Sequence, residues 1–264
     1  MLVAVDIGNT NITIGIFDQG IFVSEYRLAS DKDLSQSEYE CLLKSLLKEY
    51  HIEGCVIGSV VEELNKKISS AIENIFRINP LFVSKDLNLN ITIKTDNPNE
   101  VGADRIANAV AVASKYDKAV IVVDFGTATT FDIINSKKEF IGGVIAPGIN
   151  TQLKCLNKST SKLPKIDATI SRNAIGRNTT DAILSGVIRG VACMVDGLVK
   201  QCEAELEEPI TLIATGGYSG LIASYMSRPF NSVNQILTLQ GLVDIYNLNR
   251  LNIKNETIDK IFVK

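Results

Sequence analysis

The first thirty residues contain one short apolar run that ends in aspartate and two runs in which apolar and polar positions alternate, patterns typical of β-strands. The runs cover residues 2–6, 11–17 and 21–28, and residues 18–20 supply the polar and glycine positions of a turn between the second and third runs. The pattern therefore predicts three antiparallel strands, joined by tight turns, at the start of the chain.

Helical periodicity then alternates with short apolar runs. Ser35 and Glu38 form a capping box in front of the first amphipathic stretch, and the pair Asn97-Pro98 supplies a cap and a first-turn proline for another helix. The remaining elements predicted in this half are strands at 55–59 and 81–84 and helices at 39–50, 64–76 and 98–116.

The second half of the chain restarts the same order of elements. Three strands are predicted at 119–124, 127–135 and 139–146, followed by a helix after Pro147-Gly148 and a long helix at 179–206. Residues 157–175 are polar and lack a clear period, so a loop is predicted there. A strand at 210–215, a Gly216-Gly217 turn and a helix at 235–248 complete the pattern. We predict an α/β protein with two domains, 1–116 and 117–264, each a mixed sheet with flanking helices.

Composition restricts the classes of function. The 264 residues carry a net charge of −3 with a pI near 5.4, which argues against a nucleic-acid surface. The five cysteines form no CxxC pair and lie in apolar stretches, so we interpret them as buried, reduced thiols and expect a cytoplasmic protein. No uninterrupted apolar run is long enough for a bilayer, and Asp6 breaks the first apolar run, so neither a membrane span nor a signal peptide is expected.

One short pattern occurs twice. VAVDIGNTNITIGIF begins at Val3 and VIVVDFGTATTFDII begins at Val120, which places Asp6 and Asp124 118 residues apart. In each, an apolar strand ends in aspartate and is followed by glycine and small hydroxyl or amide residues. Such turns expose N–H groups to phosphate oxygens. We expect Asp6 to hold magnesium, through water, and we expect Thr10, Asn11, Thr127 and Thr129 to donate to phosphate.

A plainer interpretation exists for each motif. Either glycine turn, taken alone, is also compatible with an ordinary hairpin whose Asp and Asn residues cap the bend. Asp104 and Arg105, near a predicted helix start, would ordinarily be a solvated pair, although the apolar residues around them indicate burial. Gly186 and Gly190 share one helix face, which suits either core packing or a subunit interface. His51 is the only histidine and is expected at the surface, so histidine catalysis is not expected.

The motifs together resemble those of type III pantothenate kinases. They are Asp6-Ile-Gly-Asn-Thr10, Gly102-Ala-Asp-Arg105, Asp124-Phe-Gly-Thr-Ala-Thr129 and Gly176-Arg-Asn-Thr179, in order over nearly the whole chain. The resemblance implies two ribonuclease-H-like domains of the actin-like ATPase and sugar kinase superfamily. It also implies a homodimer that uses ATP to phosphorylate pantothenate, giving 4'-phosphopantothenate in the first step of coenzyme A biosynthesis, with magnesium and a monovalent cation.

The resemblance also implies roles for particular residues. Asp104 would be the general base, and Asp124 would bind potassium or ammonium. The chain departs from the family at Thr95, where many members have a tyrosine near the pantothenate pocket. The residues implied for ATP are Asp6, Ile7, Gly8, Asn9, Thr10, Asn11, Ile12, Thr13 and Thr127, and those implied for pantothenate are Gly102, Ala103, Asp104, Arg105 and Thr179.

Two other functions are compatible with a pair of glycine turns that bind a nucleotide. An actin-like phosphatase or polyphosphate hydrolase would activate water instead of an alcohol, and a regulator would bind nucleotide without chemistry. The presence of Asp6, Asp104 and Asp124 argues against the regulator, because a site that had lost its chemistry would tolerate the loss of its acids.

Overall fold

The structure is a computed structural model that describes residues 1–159 and 163–262, with 251–262 described by their backbone alone. The chain divides into two compact units: unit 1 is residues 1–112 with the segment from 237 onwards, and unit 2 is residues 113–236. The strands of unit 1 are β1 (Leu2–Ile7), β2 (Asn11–Asp18), β3 (Ile21–Ala29), β4 (Gly54–Ser59), β5 (Leu81–Phe82) and β6 (Thr92–Ile93), and its helices are α1 (Gln36–Leu47), α2 (Glu62–Phe76), α3 (Ala103–Ala113) and α8 (Leu237–Phe262).

The sheet of unit 1 has the order β3-β2-β1-β4-β5. The first three strands are antiparallel and β1-β4-β5 are parallel, so β1 is central and buried on both faces. Helices α1 and α2 cover one face, where Val5 and Ile7 pack with Leu43 and Ile68. The capping box predicted at Ser35 and Glu38 is confirmed at the start of α1.

Helix α8 covers part of the other face of this sheet. Leu239 and Leu242 pack in one cluster with Ala4, Val56 and Ile106. The sequence prediction divided the chain at residue 116 and grouped this helix with the second half, whereas in the structure the helix packs with unit 1. The uncovered apolar face of the first sheet provides the burial that this helix needs, and sequence order alone does not reveal it.

Unit 2 repeats the arrangement of unit 1. Its strands are ordered β11-β10-β7-β8-β9, antiparallel from β9 to β7 and parallel from β7 to β11. The repeat seen in the sequence is therefore also a repeat of topology, and the predicted α/β class is confirmed. The strands are β7 (Ala119–Phe125), β8 (Ala128–Ile134), β9 (Glu139–Pro147), β10 (Ile210–Thr215) and β11 (Ser232–Val233).

The helices of unit 2 pack mainly on one face of its sheet. Val123, Phe125 and Phe131 share a core with Val187 and Val191 of the long helical segment. That segment was predicted at 179–206 and runs without a break through a π-helical turn (Ser185–Arg189). The helices are α4 (Ile149–Ser159), α5 (Thr179–Leu184), α6 (Gly190–Leu206) and α7 (Ser219–Ala223).

The boundaries of several elements differ from the predicted ones. Helix α3 ends at Ala113 instead of near residue 116, and α4 extends into the loop predicted at 157–175. Residues 163–178 have no regular secondary structure, as predicted, whereas residues 160–162 of that loop lie outside the described residues. Among the described residues, one helix, Thr179–Leu206, is long and apolar enough to span a membrane by length and composition, although Arg189 and Asp196 interrupt its apolar sequence.

The predicted burial of the cysteines is wrong for three of the five. Cys55 is buried and Cys202 is half-buried, whereas Cys41, Cys155 and Cys193 are exposed.

Candidate active site

The first glycine turn (Gly8, Asn9, Thr10) joins β1 to β2 and is held by Ser30. The Gly8 N–H donates to the Asn11 carbonyl at 3.0 Å, while the Ser30 hydroxyl donates to the Gly8 carbonyl at 2.5 Å and the Ser30 N–H to the Thr10 carbonyl at 3.0 Å. Asn9, Thr10 and Asn11 are exposed. Because two carbonyl oxygens of the turn are bonded to Ser30, the exposed edge of the turn is suited to an anion.

The second glycine turn (Gly126, Thr127) is held in the same way. The Thr127 carbonyl accepts from the Gly148 N–H at 3.1 Å and from the Thr151 hydroxyl at 2.8 Å. Gly148 follows β9 just as Ser30 follows β3, so in both units the residue after the third strand bonds the threonine of the turn. A Cβ at Gly148 would lie 2.5 Å from the Thr127 carbonyl oxygen, so a side chain there would displace the turn.

Asp124 stands at the end of β7, in register with Thr215 on β10 and Thr130 on β8. Because paired residues point to the same face of a sheet, the half-buried Asp124 side chain shares its face with those two threonines. Thr129 points to the opposite face and is 0% exposed, and its hydroxyl has no hydrogen-bond partner among the described residues. The Thr129 side chain is therefore turned away from the face that carries Asp124, and its contact with phosphate stays a prediction.

Two glycines lie close to the Asp124 carboxylate. A Cβ built at Gly216 would collide with the Asp124 Oδ1 atom, and one at Gly126 would lie 3.6 Å from the same oxygen. In the described part of the chain, no group of three or more His, Cys, Asp and Glu side chains is arranged to hold a metal. A cation at Asp124, or at Asp6 on β1, would therefore be held by one carboxylate together with backbone, water or phosphate oxygens.

Asp104 lies at the start of α3, where Gly102 accepts the first helical hydrogen bond from the Ile106 N–H at 3.0 Å. The Arg105 N–H donates to Asp104 Oδ1 at 2.8 Å. Burial raises the pKa of the Asp104 carboxyl, and this N–H and the Arg105 charge oppose the rise only in part. A Cβ at Gly102 would lie 2.5 Å from Asp104 Oδ1, so the glycine provides the space that the carboxylate occupies.

Within unit 1, the start of α3 lies close to the end of β1, from which the first glycine turn departs. Val60 connects the two: its N–H donates to the Ile7 carbonyl at 3.1 Å, and its Cγ1 is 3.3 Å from a Cβ built at Gly102. A Cβ at Gly58, which is paired with Asp6, would be 3.6 Å from the Ala103 Cβ. The structure therefore brings the predicted residues at 6–13 and 102–105 to one edge of the first sheet.

Thr179 is the first residue of α5 in unit 2 and is exposed. Asn178 caps this helix by accepting from the Asp181 N–H at 2.9 Å. Thr179 lines a cavity of about 930 Å³ between α4 and α5, whose walls include Thr151, Leu156, Arg177 and Ile183. The N-terminus of a helix beside this cavity is suited to a polar or anionic ligand group.

Thr95 precedes the 3-10 turn (Pro98–Glu100) that leads into α3. Its hydroxyl is buried and has no hydrogen-bond partner among the described residues. A buried hydroxyl without a partner is unfavourable, so a ligand or water that bonds it would gain free energy.

Sequence reasoning missed the residues that hold the turns. Ser30 and Thr151 lie 20 and 24 residues from the turn threonines that they bond, and nothing in the local sequence marks them. Aligning the two repeats would have drawn attention to Ser30, because it occupies the position of Gly148.

Solved structures with the same fold include several sugar kinases. A glucokinase of the ROK family from Streptomyces griseus has a TM-score of 0.54 at 12% identity, covering 95% of this chain and 99% of that one. A putative 2-dehydro-3-deoxygalactonokinase from Sinorhizobium meliloti has a TM-score of 0.58 at 14% identity, covering 94% and 98%. The duplicated sheets and glycine turns thus place the protein in the fold class of actin-like ATPases and sugar kinases.

Sequence comparison identifies the family within that class. The sequence profile of type III pantothenate kinase matches residues 2–201. A type III pantothenate kinase of Dehalococcoides mccartyi strain BAV1 is 43% identical over 255 residues, covering 95% of this chain and 97% of the relative. One from Myxococcus xanthus is 39% identical over 254 residues, covering 94% and 99%. The chain belongs to the type III pantothenate kinase family.

Proposed function

We propose that this protein transfers the γ-phosphate of ATP to the primary alcohol of pantothenate, forming 4'-phosphopantothenate in the first step of coenzyme A biosynthesis. The observation that carries the proposal is the placement of Asp104 at the start of α3, at the same edge of the first sheet as the glycine turn that follows Asp6. A basic carboxylate beside a phosphate-binding turn is what transfer to an alcohol requires.

The two glycine turns position the phosphates of ATP. Residues 6–13 and Thr127 provide hydroxyl, amide and backbone N–H groups on turns that Ser30 and Thr151 hold in shape. Asp6 would hold magnesium through water, and the bound ion would neutralise part of the phosphate charge. Little covalent chemistry is left for the protein in such a reaction, so positioning of the phosphates is the main contribution of the turns.

Asp104 accepts the proton of the pantothenate alcohol as that oxygen attacks phosphorus. The raised pKa of its carboxyl makes it a stronger base than an exposed aspartate, and the Arg105 N–H fixes the orientation of one oxygen. Gly102, Ala103, Arg105 and Thr179 contact the rest of pantothenate. Asp124 binds potassium or ammonium, which adds a second positive charge to the site.

The protein acts as a homodimer through the long helical segment of unit 2. One face of this segment carries Gly186, Gly190, Cys193 and Gly197, all exposed, whereas Val187, Val191 and Val195 are buried on the other. Among the described residues, and apart from the helix backbone and chain neighbours, no atom lies within 4 Å of a Cβ built at these three glycines. They are not required for packing within the unit, and they would let the helix of a second copy approach closely.

ADP release in the presence and absence of pantothenate tests the proposal. We expect turnover to depend on pantothenate, with magnesium and potassium present, and to yield phosphopantothenate by mass spectrometry. Equal ADP release without pantothenate would favour the phosphohydrolase. Nucleotide binding with no turnover of either kind would favour the regulator.

A further inference from the structure

Gly216 lies against the Asp124 carboxylate in unit 2. It is the residue after β10, and its φ of +84° lies in the region that side chains other than glycine rarely adopt. A Cβ built there would collide with Asp124 Oδ1 and would lie 2.7 Å from the backbone N and C atoms of Phe125. The bare backbone of Gly216 therefore forms one wall of the space in which the carboxylate stands.

The other sides of that space are also defined. A Cβ at Gly126, in the second glycine turn, would be 3.6 Å from the same Asp124 oxygen, an ordinary contact distance. Thr215, which is 1% exposed, stands beside Asp124 in the register of the parallel pair β7 and β10. Both glycines thus lie against one oxygen of the carboxylate.

The position of Gly216 is itself fixed by Ser219. The Gly216 carbonyl accepts from the Ser219 N–H at 3.2 Å and from the Ser219 hydroxyl at 2.7 Å. Ser219 is fully buried at the start of α7, so this anchor is shielded from water. The chain is thereby held with its carbonyl bonded to α7 and its Cα facing Asp124.

We propose that Gly216 is a positioning residue, which sets the Asp124 carboxylate for a monovalent cation and thereby couples binding of that cation to binding of nucleotide at the second glycine turn. The inference rests on the proposed function, since it takes the cation site at Asp124 from there. Gly126 of that turn lies against the same Asp124 oxygen as Gly216, so a cation held by the carboxylate and a phosphate held by the turn influence one another's binding. Such coupling is reciprocal.

The experiment measures the affinity of a non-hydrolysable ATP analogue with magnesium by calorimetry, over a series of potassium concentrations at constant ionic strength. It uses the full-length wild type, Gly216→Ala, Asp124→Asn and the double variant. Gly220→Ala is the matched control, because Gly220 lies four residues further along, is exposed, and has nothing among the described residues within 4 Å of a built Cβ beyond its own helix and neighbours.

We expect Gly216→Ala to raise, by about tenfold or more, the potassium concentration at which the affinity for the ATP analogue reaches half of its maximal increase. A change of this size lies within the usual range of coupling between sites. Gly220→Ala should behave as the wild type. In the double variant, Gly216→Ala should add nothing to Asp124→Asn, because residues that act through one another are not additive. In the variants that keep Asp124, the potassium concentration required for steady-state turnover should change in the same direction as the potassium concentration required for nucleotide binding.

A folded Gly216→Ala protein with the potassium dependence of the wild type would overturn the inference. If Gly216→Ala does not fold, Ser219→Ala replaces it: loss of the hydroxyl anchor should raise the potassium requirement several-fold, and an unchanged requirement would overturn the inference equally. A wild type whose nucleotide affinity ignores potassium would overturn both the inference and the cation assignment. Absence of pantothenate-dependent turnover is a separate result, which would contradict the proposed function alone.

Discussion

Replacing Asp104 by asparagine should abolish most of the catalysis while leaving the site in place. The two side chains have nearly the same shape, and an asparagine Oδ1 can still accept the hydrogen bond that the Arg105 N–H makes at 2.8 Å. What the change removes is the basic carboxylate. Loss of a general base typically lowers the rate by ~10²–10⁴-fold, which corresponds to about 3–5 kcal/mol of transition-state free energy.

The pKa of Asp104 adds two consequences. Burial raises the pKa of the Asp104 carboxyl in the folded protein above its ordinary value. The contribution of this carboxyl to the free energy of unfolding is therefore favourable at acidic pH, and it is lost as the pH rises through the folded pKa. Near neutral pH the folded wild type therefore holds an ionised carboxylate in a buried position, which the asparagine variant does not. The free energy of unfolding of the variant should be at least that of the wild type. Wild-type turnover should fall on the acid side at a higher pH than an ordinary aspartate would give, because the base must be ionised.

The measurements are pantothenate-dependent ADP release from pH 4 to pH 9, ATP affinity by calorimetry, and the thermal midpoint of unfolding. Asp86→Asn is the control, since the Asp86 side chain is 80% exposed and pairs only with a neighbouring lysine among the ion pairs described in the structure. Near-normal turnover in a folded Asp104→Asn protein would remove Asp104 from the role of base. A large fall in ATP affinity would show that the carboxylate instead organises the nucleotide site.

Four further changes test other parts of the site. Asp124→Ala should abolish the advantage of potassium over sodium in turnover assays, and full potassium dependence in this variant would contradict the cation assignment. Ser30→Ala removes the hydroxyl bond to the Gly8 carbonyl and should weaken ATP binding by about 0.5–1.5 kcal/mol in calorimetry. An unchanged affinity would argue that the Ser30 side chain does not shape the turn. Thr151→Val should do the same through the second turn, whereas Thr151→Ser should not. Gly190→Leu should convert a dimer to monomers in light scattering and should lower the affinity for pantothenate more than the affinity for ATP. If the variant unfolds instead, the glycine is needed for the core of the single chain.

Local patterns were sufficient to predict most of the elements of each unit. Alternation over residues 11–17 and the turn at 18–20 specify a hairpin, because a slip of one residue would expose its whole apolar face. The capping box at Ser35 and Glu38 marks the start of α1 at Gln36, whereas the apolar period by itself begins only at Tyr39. The repeat of Asp6 and Asp124 also predicted the repeated topology, since like sequences of strands and turns fold alike.

The features that could not be predicted depend on contacts distant in sequence. Thr129 and Thr130 are adjacent and chemically identical, so only the register with Asp124 shows which of them shares its face. Helix α8 joins unit 1 because that sheet has an uncovered face, which no local pattern reports. The Gly216-Gly217 turn is visible in the sequence, but its positive φ and its contact with Asp124 exist only once β10 is paired with β7.

The long helical segment Thr179–Leu206 has a mean hydropathy of 1.7 in its most apolar window, of which 39% is buried within the protein, and this apolar character needs an explanation. One face already belongs to the core of unit 2 through Val191 and Val195, so lipid could surround the segment only if that core came apart. Arg189 is likewise engaged with its own unit, donating to the Ser171 carbonyl at 3.1 Å and lying over the Tyr225 ring at 5.0 Å. Between residues 182 and 197 the exposed positions are all small, and they form a row that one neighbouring helix would cover: Ala182, Gly186, Gly190, Cys193 and Gly197. In the proposed homodimer, a second copy of this chain would supply such a helix, and the absence of side chains at Gly186 and Gly190 would then have a physical reason that folding of the single chain does not provide.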